Sequence, residues 1–389
     1  WGNLVLLDEA VVYNPSHVLS FFSVFNNDAI REVNLYKSFF PLKYGGRSSS
    51  VIDVRMREGN SKERERSASL GLIASKVLLE GPLKKKEGSY LVSGRFGYPG
   101  VVAGLLGSNL TSKPQMWFYD VNAKVNRTLD ARNRMFFSLY SGGDHTVFNK
   151  LVKGYGMDWG NATATIRWNH ILNDKTNVNT SAVFSNYYYK YKSLSDGLRY
   201  VWKSNMQSYQ LKSDWERYQN NLLTLKGGVN LHYFTTMPGE VGKSGKDSNI
   251  TPSEMSRKSL WDAALYAEAN YKFLPRFLLN AGVRLSVLHA PASTYYAAKT
   301  FVMPEPRAEL SFIPNASHRF SASYTQAAQS IHMLTTSSVG IPSDMWMPAN
   351  ALLKPSVMRQ LALGYEYNFP DKEYTLSLEA YMRRTNHVV

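Results

Sequence analysis

Eight histidines are scattered through the 389 residues: His17, His145, His170, His232, His289, His318, His332 and His387. A zinc hydrolase would hold two of them on one helix face in an HExxH pattern, and none occurs. With no cysteine, a cysteine nucleophile, a thiolate zinc site and a disulfide scaffold are all excluded. Neither "GLIAS" (71–75) nor "GGRSSS" (45–50) has the GxSxG elbow of a serine hydrolase. The stretch Gly142-Gly143-Asp144-His145 sets a carboxylate beside an imidazole, but one such pair is an incomplete ligand set and reads as a loop. The D-x-D-x-D-G calcium pattern is absent. The expectation is a chain with no catalytic residues, no cofactor and no metal centre.

The chemistry that remains is charge and aromaticity. Lys and Arg number 45 against 30 Asp and Glu, a net charge of +15, and aromatics make up 13% with 25 tyrosines. The basic residues are spread through the chain, and the one dense run, "LKKKEG" at 83–88, sits in a turn. That spread argues against nucleic acid and for a water-filled lumen or anionic lipid headgroups.

The charges must be held by strands. In "NATATIRWNHIL" (161–172), Ala162, Ala164, Ile166 and Trp168 share one face and Thr163, Thr165, Arg167 and Asn169 the other. In "LWDAALYAEANYKFL" (260–274), Glu268 lies on the polar face with Asp262 and Asn270. "FLLNAGVRLSVL" (277–288) sets Arg284 opposite Val283 and Leu285, and Glu309 shares a polar face with Arg307 and Ser311. Alternation with period two is the strand signature. A dry β-sandwich core would not accept such charges, whereas a hydrated lumen would. Trp168, Tyr271, Phe273, Tyr367 and Phe369 lie near the ends of apolar faces, as interfacial girdles do.

Tight connections at 173–175, 220–221, 275–276, 315–317 and 371–372 alternate with long ones at 99–118, 192–206, 235–259 and 328–355. Strands of about 10–14 residues joined this way describe a transmembrane antiparallel up-and-down β-barrel, with about fifteen strands after residue 66. An odd count cannot close a bacterial barrel, so partners beyond both ends of this sequence are expected. No run of about 18 apolar residues marks a membrane helix. Residues 1–60 differ: "NNDAIREV" reads as a short capped helix between strands, giving a small α+β unit.

Residues 3–60, "NLVLLDEAVVYNPSHVLSFFSVFNNDAIREVNLYKSFFPLKYGGRSSSVIDVRMREGN", resemble the C-terminal part of the plug of TonB-dependent outer-membrane receptors. The resemblance continues through "GLIASKVLLEGPL", "WGNATATIRWNHILNDK", "LYAEANYKF", "NAGVRLS" and "SSVGIPSDMWMPAN". Glu9 stands where that family usually has Gly, Ser38-Phe39 replaces a Gly pair, and Leu42-Lys43 replaces Ala-Arg. The ending "YGGRSSSVIDV" differs from that of the SusC-like branch, so a SusD-like partner is not implied. The resemblance implies a plug ending at residue 60 inside a barrel at 61–389, cut short of the roughly 22 strands of such transporters.

The resemblance also implies a function: energy-coupled uptake of a large, scarce ligand across the outer membrane of a Gram-negative bacterium. The implied partners are outer-membrane lipid and lipopolysaccharide, TonB through a segment N-terminal to this one, and an external ligand, with no nucleic acid. The alternative is a barrel that docks or assembles surface proteins, such as a surface lipoprotein, without import. The long connections would be extracellular and the tight ones periplasmic. Tyr44, Gly45 and Gly46 would form the turn that hands the plug to the wall, through positive φ and close approach. Arg47, Arg55 and Arg57 are the plug candidates to meet wall carboxylates Glu268 and Glu309, with Arg47 expected nearest to one of these. Trp117, Trp159, Trp202 and Trp346, with Phe118 and Tyr119, are ligand-stacking candidates; girdle or anchor roles stay open for them.

Overall fold

The computed structural model describes residues 2–84, 87–106, 115–148, 154–193, 199–243, 251–334, 345–370 and 373–388. The N-terminal residues form two small sheets. β1 (Leu4–Leu7) and β2 (Ala10–Val11) make a hairpin, and β3 (Ser16–His17) and β4 (Phe22–Ser23) make another. β5 (Ile30–Tyr36) and β6 (Val51–Met56) join the first hairpin in the order β2-β1-β6-β5, with β1 and β6 parallel. The helix expected in "NNDAIREV" is a single 3-10 turn, Asn27–Ala29, because Ile30 onward pairs with β6. Its cap is as expected: the Asn26 side chain accepts from the Asp28 N–H at 3.2 Å.

The remaining strands form one large wall. It opens with β7 (Glu65–Leu70), β8 (Ala74–Pro82) and β9 (Gly88–Gly97). After the helix α1 (Pro99–Leu106) come β10 (Gln115–Asp130), β11 (Asn133–Phe148) and β12 (Tyr155–Asn173). β13 (Thr176–Ser193), β14 (Tyr200–Tyr218) and β15 (Leu223–Lys243) follow, with the two-residue β16 (Ser253–Glu254) clipped to β15. Then come β17 (Lys258–Leu274), β18 (Phe277–Ala290), β19 (Lys299–Asn315) and β20 (His318–Gln329). A separate hairpin of β21 (Ile331–Leu334) and β22 (Met345–Pro348) intervenes before β23 (Ser356–Asn368) and β24 (Thr375–Asn386). Each wall strand pairs antiparallel with its neighbours in sequence, skipping only β16 and the β21–β22 hairpin, and β7 and β24 are the two edges. The fold is an all-β, up-and-down barrel wall, and the path holds the expected fifteen strands.

The strands are longer than their alternation suggested, up to 21 residues in β15. Most of 192–206 and the start of 235–259 are therefore ladder, not loop. Backbone groups above the apolar band still need partners, and the neighbouring strand supplies them. Likewise 99–118 contains α1, and 328–355 contains β21–β22. The tight turns fall where expected, except that 371–372 lies outside the described residues.

Outward faces carry the apolar residues, with Val229, Leu265 and Leu363 more than half exposed. Two aromatic rows bound them. At the tight-turn end, Phe277 meets Phe312 at 4.8 Å and Phe320 meets Tyr365 at 5.0 Å. At the other end, Tyr233 meets Trp261 at 4.6 Å and Phe184 meets Tyr209 at 5.2 Å. Trp261 and Tyr271 lie ten residues apart on β17. At about 3.3 Å per residue and a tilt of about 40°, they bound a band of about 25 Å, the apolar height of a membrane barrel. Among the described residues no helix is long and apolar enough to cross a membrane.

Leu265→Arg puts a charge in the middle of this band. It is expected to destabilise the folded wall by about 2–4 kcal/mol, read by equilibrium unfolding in lipid vesicles.

Candidate functional site

The inward faces of the wall are polar and grip the N-terminal unit, which the strands surround. The tightest grip is on residues 38–44, which pair with no strand. Thr325 Oγ1 donates to the Ser38 carbonyl at 2.9 Å, and Arg307 Nη1 to the carbonyls of Phe40, Pro41 and Tyr44 at 3.1, 3.0 and 2.9 Å. Arg284 Nη1 donates to the Leu42 carbonyl at 3.3 Å, and the Leu42 N–H donates to Glu268 at 2.9 Å. Glu305 lies between the two arginines, 3.1 Å from Arg307 and 3.7 Å from Arg284. The Phe40 ring lies under the Arg307 guanidinium at 4.1 Å. Irregular backbone survives at membrane depth only when protein satisfies its polar groups, and this cluster does so.

On the opposite wall the partners come from both sides. The His17 ring is buried between two carboxylates, Nδ1 2.6 Å from Asp144 and Nε2 2.7 Å from Asp120. Asp120 also accepts from Tyr140 at 3.0 Å and pairs with Arg95 at 2.5 Å, while Asp144 accepts from the Val18 N–H at 2.8 Å. Phe118 stacks on the imidazole at 4.5 Å. Burial alone would lower the His17 pKa, but hydrogen bonds and charge from Asp120 and Asp144 outweigh it and raise it above 6.5. An imidazolium donates from both nitrogens, which this geometry asks for. Asp8 meets Lys124 at 2.8 Å and Ser138 at 2.7 Å. Glu9 stands 3.0 Å from Lys212, 3.4 Å from Arg167 and 3.2 Å from Arg55, and accepts from Asn179 at 3.3 Å. Burial would raise the Glu9 pKa, but those cations hold it well below the usual carboxylate range.

On the side of the long connections, Tyr155 and Tyr191 stack at 6.1 Å and Tyr191 and Tyr200 lie 5.9 Å apart, on inward faces next to Trp202 and the buried Trp159. The β21–β22 hairpin folds inward here. Trp346 packs edge-on against Tyr13 at 5.5 Å, and its carbonyl accepts from Thr236 at 3.2 Å. The result is a partly exposed aromatic vestibule roofing the inner unit.

Residues 104–389 match a family model described as TonB dependent receptor-like, beta-barrel. The chain belongs to this receptor family. Solved structures with the same fold include BauA, the ferric preacinetobactin receptor of Acinetobacter baumannii (12% identity, 97% of this chain, 62% of that chain, TM-score 0.71). The FrpB iron transporter of Neisseria meningitidis is similar at 13% identity (99% of this chain, 66% of that chain, TM-score 0.71). FpvA of P. aeruginosa, solved with a pyoverdine–iron complex, is similar at 10% identity (98% of this chain, 56% of that chain, TM-score 0.73). The chain spans less than two thirds of the length of these structures. No curated protein matches the sequence.

The receptor's predicted contact residues separate. Glu268 faces inward and touches the inner unit, but through the Leu42 N–H and not through Arg47. Glu309 also faces inward, where it accepts from Arg319 at 3.4 Å and Asn280 at 3.2 Å, both wall residues. Arg47 pairs with neither carboxylate among the described residues. Its guanidinium bonds the Gly46 carbonyl at 3.1 Å and lies over Trp346 at 5.2 Å, and burial lowers its pKa to about 10. The reason is register: Glu268 is spent on backbone, and the inward-folded hairpin covers Arg47. Arg55 stays mainly within the inner unit, on Asp53 and Glu9, while Arg57 reaches wall residue Glu80 at 2.7 Å. At the turn, Gly46 has φ +78, and Gly45 lies where a Cβ would come 2.4 Å from Arg284 Nε. Positive φ and close approach are thus divided between the two glycines.

Of the tryptophans, Trp117 points outward and stacks on His145 at 5.1 Å, so it is no lumen residue; Tyr119 is on its face, and Phe118 is buried against His17. Trp346 is an anchor, and Trp159 and Trp202 border the vestibule. Asp144 and His145 lie in β11, not in a loop, and point to opposite faces, toward His17 and Asp158. The alternation in "DVNAKVN" (120–126) is the signal that sets Asp120 and Lys124 on one inward face, but nothing local points to His17 or Asp8 as their partners.

Arg307→Met takes away one of the two arginines that balance Glu305 and the donor to the Phe40 and Tyr44 carbonyls, while the Pro41 carbonyl keeps the Tyr44 N–H at 3.1 Å. It is expected to cost about 3–5 kcal/mol and to speed hydrogen exchange across 38–46, with Arg307→Lys between, since a point charge cannot span the carbonyls. The His17 tie has a definite pH sign. A raised folded pKa means its stabilisation is complete below the unfolded value of about 6.5 and fades as pH rises through the folded value. Exchange protection of residues 16–23 is expected to fall over that rise and to lose its pH dependence in His17→Gln.

Proposed function

We propose that the chain is the greater part of a receptor that takes up a bulky external ligand across the outer membrane, driven through TonB. The observation that carries this is the inner unit clamped across the lumen beneath an aromatic vestibule. A wall blocked in this way cannot serve as a passive pore, and ligand passage needs work to move the inner unit. Residues 1–60 are read as the end of the plug and 61–389 as barrel. TonB would engage a segment N-terminal to residue 1, and the outward aromatic rows would sit among outer-membrane lipid and lipopolysaccharide.

Tyr155, Tyr191 and Tyr200, stacked in series with Trp202 beside them, would offer aromatic surface to a ligand too large for diffusion pores. Of the similar structures named above, one is described as a ferric preacinetobactin receptor and one as an iron transporter, which supports a metal-containing ligand. A strain lacking the full-length receptor is expected to lose growth on one scarce nutrient at limiting concentration, with Tyr191→Ala raising the concentration needed. Undiminished uptake of every nutrient tested, with loss of a surface protein from the cell exterior, would favour docking instead.

A further inference from the structure

Two voids lie in series between the inner unit and the same stretch of wall. The lower, of about 810 Å³, reaches the tight-turn end and is bordered by Arg167 and Asn179. The upper, of about 40 Å³, is bordered by Glu9, Lys212, His232 and Asp262. Lys43 borders both. Glu9 and Lys212 on the upper side are joined to Arg167 and Asn179 on the lower side by the contacts described above, so this network spans the partition, with Lys43 beside it.

The partition stands on a strained turn. Leu7 pairs with Ala10 across Asp8 and Glu9, whose φ values are +44 and +78. Positive φ at both central residues is the type I′ hairpin, which favours Gly at the second position. Glycine would make this turn without strain. Glutamate strains it, and what it adds is a carboxylate among Lys212, Arg167, Arg55 and Asn179. Among the described residues the inner unit's ion pairs to β12 and β14 converge on that carboxylate, with Asn161 of β12 holding the Tyr13 and Asn14 backbone beside it, whereas the Arg307 cluster holds β18–β20 and the His17 and Asp8 ties hold β10 and β11.

We propose that Glu9 is the bolt of a solute passage running between the inner unit and wall strands β12–β15, and that withdrawal of the Asp8–Glu9 turn joins the two voids. This rests on the uptake reading and names its route. The lower void is lined by cations, carboxylates and amides together, which suits a hydrated polar solute over an apolar one.

The test is ion conductance of the full-length receptor in planar bilayers, in salt alone. Glu9→Gln, Glu9→Gly and Lys212→Met are each expected to raise conductance roughly tenfold as the bolted population falls. A short bis-maleimide joining E9C to N179C is expected to return it to the wild-type level. Glu80→Gln, which cuts the Arg57 tie on β8, should leave conductance where it is. Lys212→Met leaves the inner unit's sequence intact, so it decides the matter if the Glu9 variants fold poorly. Conductance unchanged in Lys212→Met, or raised equally by Glu80→Gln, overturns the proposal. No ligand or energy source enters the measurement, so a receptor that imports nothing would still report on the bolt.

Discussion

A backbone polar group sealed between a lipid-clad wall and its contents must find a partner in protein. Most of the architecture follows from that constraint. The wall meets it through its own ladder, strand after strand. Residues 38–44 cannot, because they belong to no sheet, and their carbonyls fall to Arg284, Arg307 and Thr325. A guanidinium suits this task since its several donors project in fixed directions and it stays charged when buried. Glu305 balances both arginines, and Phe40 lends a π-face.

The grip is mixed in sign. A scheme with arginines inside and carboxylates on the wall would have been simpler, and among the described residues only Arg57–Glu80 follows it. Asp8 and Glu9 reverse it, with inner carboxylates on wall cations, and His17 takes two wall carboxylates at once. Interleaved signs keep the lumen from accumulating one charge, whose self-repulsion would oppose assembly. They also divide the hold among several ties, each of modest net worth once desolvation is counted. An inner unit held in this way can be freed one side at a time.

Much of the wall was legible in the sequence because alternation is local. Thr163, Thr165 and Arg167 declare an inward face without reference to any other strand, and Glu268 and Glu309 were placed inside on the same ground. The girdle aromatics followed from position along each strand. Strand length was not legible, since above the apolar band the outward residues turn polar, as at Asn186 and Gln207, while pairing continues. The partners were not legible either. Arg47 and Glu268 are both inward-facing, but which backbone or charge each meets depends on how a seven-residue irregular segment lies against the wall. Trp117 was misplaced because strand β10 begins two residues before it and sets its face outward.

The clamp on residues 38–44 joins parts of the chain that are far apart in sequence. Leu42 and Glu268 are separated by 226 positions, Tyr44 and Arg307 by 263, and Ser38 and Thr325 by 287. The β-ladder, by contrast, is made of neighbours. Local pairings form readily, while contacts that close long loops come late because chain entropy opposes them. The wall can therefore zip strand by strand, while the inner unit waits without its principal fastening until β18–β20 are in place. Assembly has a preferred order: the core of this molecule is enclosed last, by a wall that curls around it.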